Sequence, residues 1–209
     1  MDDVQIILCD IYLPVVQAWE AYFTDVPGVE VVCDTIFGVE ADALVSPANS
    51  FGRMDGGLDA DIIEFLGEDV EIAVQQSIAQ RHGGELVVGL AEVVPTGMVQ
   101  FPYLVCAPTM RVPQNVSKTV NAYLAFRGAL RAVREYNAWN DTPIRRLVVP
   151  GLCTANGFMP PLRAARQMRA AYDHISFGKA PNLDISLDAG ADSDDRINVR
   201  ASEAKPPSV

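Results

Sequence analysis

The sequence predicts an α/β sandwich, with helices covering both faces of a mostly parallel or mixed sheet. Short apolar runs of strand length, among them VQIILC, VEVVC and YLVCA, alternate with longer stretches of helical period. One of these runs, Ala43-Leu44-Val45, stops at Pro47-Ala48-Asn49 and breaks into a glycine-rich loop, as a buried strand does when it delivers a loop to a sheet edge. At 209 residues, 49% of them hydrophobic, the chain is long enough for one domain with a full core.

The elements follow in order. Residues 4–9 read as a strand, and 13–23 as a helix with Pro14 in its first turn. A second strand at 29–33 follows the Pro27-Gly28 turn, and a third spans 43–46. Helices are expected at 59–66 and 69–81, the second ending at His82-Gly83-Gly84. Strand-like stretches at 86–95 and 102–107 precede a long helix from Ser117 to about Trp139, where Arg127, Arg131 and Arg134 share a polar face of the kind usually solvated. A strand at 147–149, a loop at 150–157 and a helix at 161–175 bearing Arg163, Arg166 and Arg169 complete the pattern. The domain is expected to span 1–178. Residues 179–209 are expected to form a flexible acidic tail, since 181–209 hold six acids, three bases, three prolines and no aromatic residue.

Composition excludes several functions. A net charge of −11 argues against a nucleic-acid groove, which needs surplus Lys and Arg. The charge is uneven: residues 1–92 carry eighteen acids and two bases, whereas 93–180 carry three acids and eleven bases, so the halves are expected to face one another in one fold. No run of eighteen apolar residues exists and the start, Met1-Asp2-Asp3, is acidic, so no membrane partner and a cytoplasmic location are expected. Cys9, Cys33, Cys106 and Cys153 lack disulfide or metal-finger spacing and read as buried free thiols. With only His82 and His174 to add, neither a zinc site nor any other cofactor is expected.

Two strand-end loops, SFGRMDGGL at 50–58 and PGLCTANG at 150–157, look built to wrap an anion with backbone N–H groups. Neither is a P-loop, since no Gly-Lys-Ser/Thr follows, and neither holds G-x-G-x-x-G or a G-x-S-x-G elbow. Cys153 stands in the second loop without a histidine nearby in sequence, which makes it a poor candidate nucleophile.

The stretch ALVSPANSFGRMDGGLD resembles the signature of macrodomains, in which a strand ends in an Asn-Ala-Ala-Asn-like tetrapeptide and enters a glycine-rich loop. Asp59 follows Asn49 by ten positions, the interval of the MacroD-type hydrolases. Cys33-Asp34-Thr35 resembles the Gly-Asp-Ile step, Gly89-Leu90-Ala91 the Gly-x-Ala strand entry, and 147–157 the second phosphate-binding loop. Ser46-Pro47 in the tetrapeptide, Cys33 before the aspartate and the short loop Cys-Thr-Ala-Asn-Gly depart from the pattern, and APTMRVP at 107–113 and NAYLAFRGAL at 121–130 fall outside the common signature, as in a divergent bacterial or phage-type subfamily.

The resemblance, which spans about residues 4–175, implies a three-layer α/β/α sandwich around a mixed sheet, with ADP-ribose or a related NAD-derived molecule as ligand. It implies that Asp34 accepts the adenine amine while the N–H of Thr35 faces a ring nitrogen, and that Asn49 binds hydroxyls of the distal ribose. Gly56, Gly57 and Leu58 would bend over the diphosphate, and Thr154, Ala155, Asn156 and Gly157 would cradle it from the other side. Phe158 would pack either on the nucleoside or in the core. Arg111 reads as a surface residue or as a reach towards the ligand.

Asn49 and Asp59 are the expected catalytic pair. Asp59 would orient or deprotonate a water attacking the distal ribose, releasing ADP-ribose from a mono-ADP-ribosyl or O-acetyl ester; the other reading of Asp59 is a cap on the following helix. The alternative function is a non-catalytic reader of ADP-ribose, on another protein or as a free metabolite.

Overall fold

The computed structural model describes residues 3–181. Its elements in chain order are β1 (Gln5–Cys9), α1 (Leu13–Phe23), β2 (Val29–Val32), a 3-10 turn (Ile36–Gly38), β3 (Ala43–Ser46), α2 (Leu58–Leu66), α3 (Asp69–His82), β4 (Glu92–Pro95), β5 (Tyr103–Cys106), α4 (Asn121–Trp139), β6 (Arg146–Val149) and α5 (Pro161–Phe177). The tail expected from 179 onward lies outside the described residues from 182.

The strands form one sheet in the order β2-β1-β6-β3-β5-β4. All neighbours pair in parallel except β4, which runs antiparallel to β5 at the edge. Strands of such a sheet are buried on both faces and need apolar residues at every position. The buried run Ala43-Leu44-Val45-Ser46 meets that demand in all but its last residue. Alternate side chains feed two cores. Ile6, Leu8, Val45 and Leu147 face α1, α4 and α5 with Trp19, Phe126 and Met168. Ile7, Cys9, Leu44 and Val148 face α2 and α3 with Ile62, Val74 and Ile78. The result is the expected three layers, each fully buried Leu or Ile contributing roughly 1.5–3 kcal/mol.

Three expected boundaries move by more than one residue. Only 92–95 of the stretch 86–95 is a strand; Val88 and Leu90 form an isolated bridge beneath α4, where a β-carbon on Gly128 would stand 2.9 Å from the carbonyl oxygen of Gly89. The long helix starts at Asn121 rather than Ser117, because the carbonyls of Ser117 and Thr119 are taken by Arg163 Nη1 (2.5 Å) and Gln167 Nε2 (2.9 Å) of α5. The last helix continues to Phe177, where Gly178 in left-handed conformation caps it.

The arginine-bearing faces divide. Arg131 pairs with Glu135 on the surface at 2.6 Å, whereas Arg163 is buried and Arg169 donates to the Tyr22 carbonyl. Charge complementarity between the halves of the chain is visible in the ion pair of Arg111 with Glu85. Cys9, Cys106 and Cys153 are buried, but Cys33 is exposed, contrary to the expectation for all four, because it lies just past the end of β2. Among the described residues no helix is long and apolar enough to cross a membrane.

Candidate functional site

Because β2, β1, β6 and β3 run parallel, their carboxyl ends lie along one edge of the sheet. In strand order that edge carries Asp34, then Asp10, then the loop 150–158, then the loop 47–58 leading into Asp59. Ligand crevices of open α/β sheets form at such edges.

Asn49 sits just beyond β3, nearly buried, and bridges to Met110. Its side chain builds its own loop: Oδ1 accepts the N–H groups of Phe51 (3.0 Å) and Arg53 (3.3 Å), and Nδ2 donates to the Arg53 carbonyl (2.7 Å). One amide hydrogen is left over. The chain then continues through Met54, whose N–H donates to Glu71 on α3 at 3.1 Å, to the exposed Asp55, Gly56 and Gly57.

Asp59 lies in the first turn of α2, 9% exposed. It makes no capping bond there; the N-cap is Gly57. Instead Oδ1 accepts a 2.6 Å hydrogen bond from the hydroxyl of Ser46, the last residue of β3. Burial pushes the Asp59 carboxyl up to about 6, against the opposing pull of the Ser46 hydrogen bond and with smaller upward pushes from Asp55 and Glu71.

The second loop leaves β6 and turns into α5. A β-carbon on Gly157 would stand 2.5 Å from the Cys153 carbonyl oxygen and 2.8 Å from Val116 Cγ2, so this position accepts no side chain without a shift. Asn156 reaches the first loop: its Nδ2 is 2.8 Å from where a β-carbon on Gly57 would be. The two loops expected to flank one ligand therefore meet. Thr154 Oγ1 and Asp10 Oδ2 each lie 2.6 Å from the corresponding point on Gly151. Burial raises the Cys153 thiol to about 12, which leaves no thiolate for attack.

Asp34 is exposed, and its Oδ1 accepts the N–H of Thr35 at 2.6 Å. Thr35 in turn caps the 3-10 turn through Phe37 N–H at 3.4 Å. Phe158 is 67% exposed, which rules out its core placement. Arg111 forks onto Glu85 (2.7 and 3.1 Å), with its guanidinium carbon 5.2 Å from the centre of the Phe51 ring, so it braces the outside of the first loop.

Two residues of this edge were not among those expected to act. Ser46 stood only as a departure in the tetrapeptide. Asp10 ties β1 to the second loop, accepting the N–H of Gly151 (3.1 Å) on Oδ2 and that of Tyr12 (2.8 Å) on Oδ1. A signal for Asp10 was present: Cys9-Asp10 and Cys33-Asp34 end two adjacent parallel strands with the same dipeptide.

The family model described as Macro domain matches residues 45–168. A protein of Aquifex aeolicus (strain VF5) is 32% identical over 140 residues, which is 67% of this chain and 78% of that protein. Among solved structures, the macrodomain of Mycobacterium tuberculosis DarG is similar with a TM-score of 0.56 at 21% identity, over 68% of this chain and 88% of that one. A mutant Oceanobacillus iheyensis macrodomain with ADPR gives 0.56 at 14% identity, over 87% and 82%. Thermosipho africanus DarTG in complex with ADP-ribose gives 0.53 at 16%, over 72% and 42%.

Proposed function

The chain belongs to the macrodomain family, and from that membership we propose that its carboxyl edge binds ADP-ribose and hydrolyses mono-ADP-ribosyl esters. The adenine lies at Asp34, the diphosphate between Gly56-Gly57-Leu58 and Thr154-Ala155-Asn156-Gly157, and the distal ribose near Asn49 and Asp59. Phe158 offers an exposed ring to the nucleoside. The acceptor of such esters is a carboxylate on another protein.

One observation carries the hydrolytic part of this reading. Asp59 is a nearly buried carboxylate just past the glycine loop, poised to ionise near pH 6. At neutral pH its ionised form is the major one and can accept a proton. In this step a water oxygen bonds to the anomeric carbon, its proton passes to Asp59, the carbon–oxygen bond to the ester breaks, and the departing carboxylate carries the electron pair. The same negative charge stabilises the oxocarbenium-like transition state.

Release of ADP-ribose from a mono-ADP-ribosylated carboxylate tests the assignment. Asp59→Ala should lower the rate by roughly 10²- to 10⁴-fold, the worth of a general base. Full turnover in that variant would remove Asp59 from the mechanism.

A reader module without turnover is the second reading. What favours it is Asn49, whose side chain is largely committed to Phe51 and Arg53 of its own loop. Calorimetry with ADP-ribose, AMP and NAD separates the outcomes: binding without release supports the reader, and no heat with ADP-ribose at millimolar concentration sinks both readings.

A further inference from the structure

Strand β3 alternates its side chains between the two cores, so after Ala43, Leu44 and Val45 the side chain of Ser46 falls on the α2/α3 side. That position is fixed by the centre of the sheet: Ser46 is registered with Cys106 of β5, and its carbonyl accepts the N–H of Ala107 at 3.0 Å. The hydroxyl is fully buried beside an apolar layer, where a polar group needs a partner. Its partner is Asp59 Oδ1 at 2.6 Å.

The other oxygen of Asp59, Oδ2, takes no hydrogen bond from the described residues. The charged and titratable groups facing this carboxyl are Asp55 of the glycine loop, Glu71 of α3 and the Cys106 thiol of β5, which burial holds neutral. Both acids oppose ionisation of Asp59. Among the described residues the Ser46 hydroxyl is the group that favours it.

We propose that Ser46 is the positioning residue of the site: its hydroxyl, anchored in the central sheet, holds Asp59 by one oxygen and leaves the other to receive the proton of the attacking water. This rests on the hydrolase reading of Asp59 given above. Ser46 touches no substrate; it acts through Asp59. The device needs a short hydroxyl at this place, which reaches from the end of β3 to the first turn of α2.

The experiment combines two measurements on Ser46→Ala and Ser46→Thr. Carbon NMR of the Asp59 carboxyl gives its titration midpoint without any ligand, and the pH profile of ADP-ribose release gives the midpoint of turnover. In Ser46→Ala both should rise by about one pH unit, with kcat lowered and KM changed less than about twofold. Ser46→Thr keeps the donor and should return both midpoints towards wild type. Should the alanine variant not fold, Ser46→Cys, of similar shape with a weak donor, carries the same expectation. An Asp59 midpoint that stays in place in Ser46→Ala overturns the proposal, as does a threonine variant that behaves like alanine. No ADP-ribose release by the wild-type protein would instead defeat the hydrolase reading, and full turnover in Asp59→Asn the role of Asp59 in it, while the NMR midpoint still judges the link between Ser46 and Asp59.

Discussion

Asn156 Nδ2 stands 2.8 Å from the place a β-carbon on Gly57 would occupy, so the loops after β6 and β3 touch through one amide and one missing side chain. Gly57 also has φ of +59° and ψ of −144°, a conformation that residues with a side chain rarely adopt. Gly57→Ala should cost about 1–3 kcal/mol of stability and weaken ADP-ribose binding roughly tenfold. Adding Asn156→Ala should relieve the collision but not the backbone strain. Gly56→Ala is the control, since nothing lies within 4 Å of its would-be β-carbon. Thermal unfolding and calorimetry on the four proteins read the difference; equal effects at 56 and 57 would contradict this geometry.

The pH dependence of Asp59 has a definite sign. Its folded value, about 6, exceeds the usual 3.8, so the folded protein holds this proton more tightly than the unfolded chain does. The stability it confers is complete below pH 4 and is lost as pH rises through about 6. The loss is of the order of 3 kcal/mol. Urea unfolding should therefore find Asp59→Asn more stable than wild type at pH 8, the gap closing towards pH 4. Turnover should run the other way, rising through pH 6 as the base ionises.

Asp34 is proposed to recognise the adenine amine. Asp34→Ala should weaken ADP-ribose binding by roughly 10- to 100-fold, the worth of a hydrogen bond to a charged group. Affinity for the ribose phosphate portion alone should change little. Calorimetry with ADP-ribose and with ribose 5-phosphate distinguishes a base contact from a general loss of the pocket.

Arg111 lies on the outside of the first loop, paired with Glu85 and stacked over Phe51. Arg111→Ala should leave ADP-ribose affinity within about twofold of wild type, as expected of an exposed ion pair. A tenfold loss would mean that it reaches the ligand.

Much of this architecture was legible in the chain. The strands at Gln5–Cys9 and Ala43–Ser46 and the helix at Leu13–Phe23 could be read to within a residue, because an apolar run bounded by acidic residues or Pro has few other uses. The stretch 86–95 misled because its apolar residues serve helix packing: Leu86 and Leu90 fill the core around α2, α3 and the sheet without pairing as a strand. Ser117 to Val120 misled because whether a carbonyl is spent inside a helix or on Arg163 is decided forty-six residues away. At the candidate site, Asn49 and Asp59 stood out through the ten-residue interval they share with the macrodomain signature. The bond from Ser46 to Asp59 could not, since it depends on which face of β3 the first turn of α2 descends upon.

The matched span begins at residue 45, yet β1 is an interior strand, flanked by β2 on one side and β6 on the other. A fragment cut at that boundary would start inside β3, lose Asp10 and Asp34, and bare the inner side of β6 as a raw ladder of N–H and C=O groups. The first forty-four residues are thus the keystone rather than an appendage: they supply one interior and one edge strand of the sheet and the nucleoside half of the proposed pocket, and any minimal version of this protein must retain them.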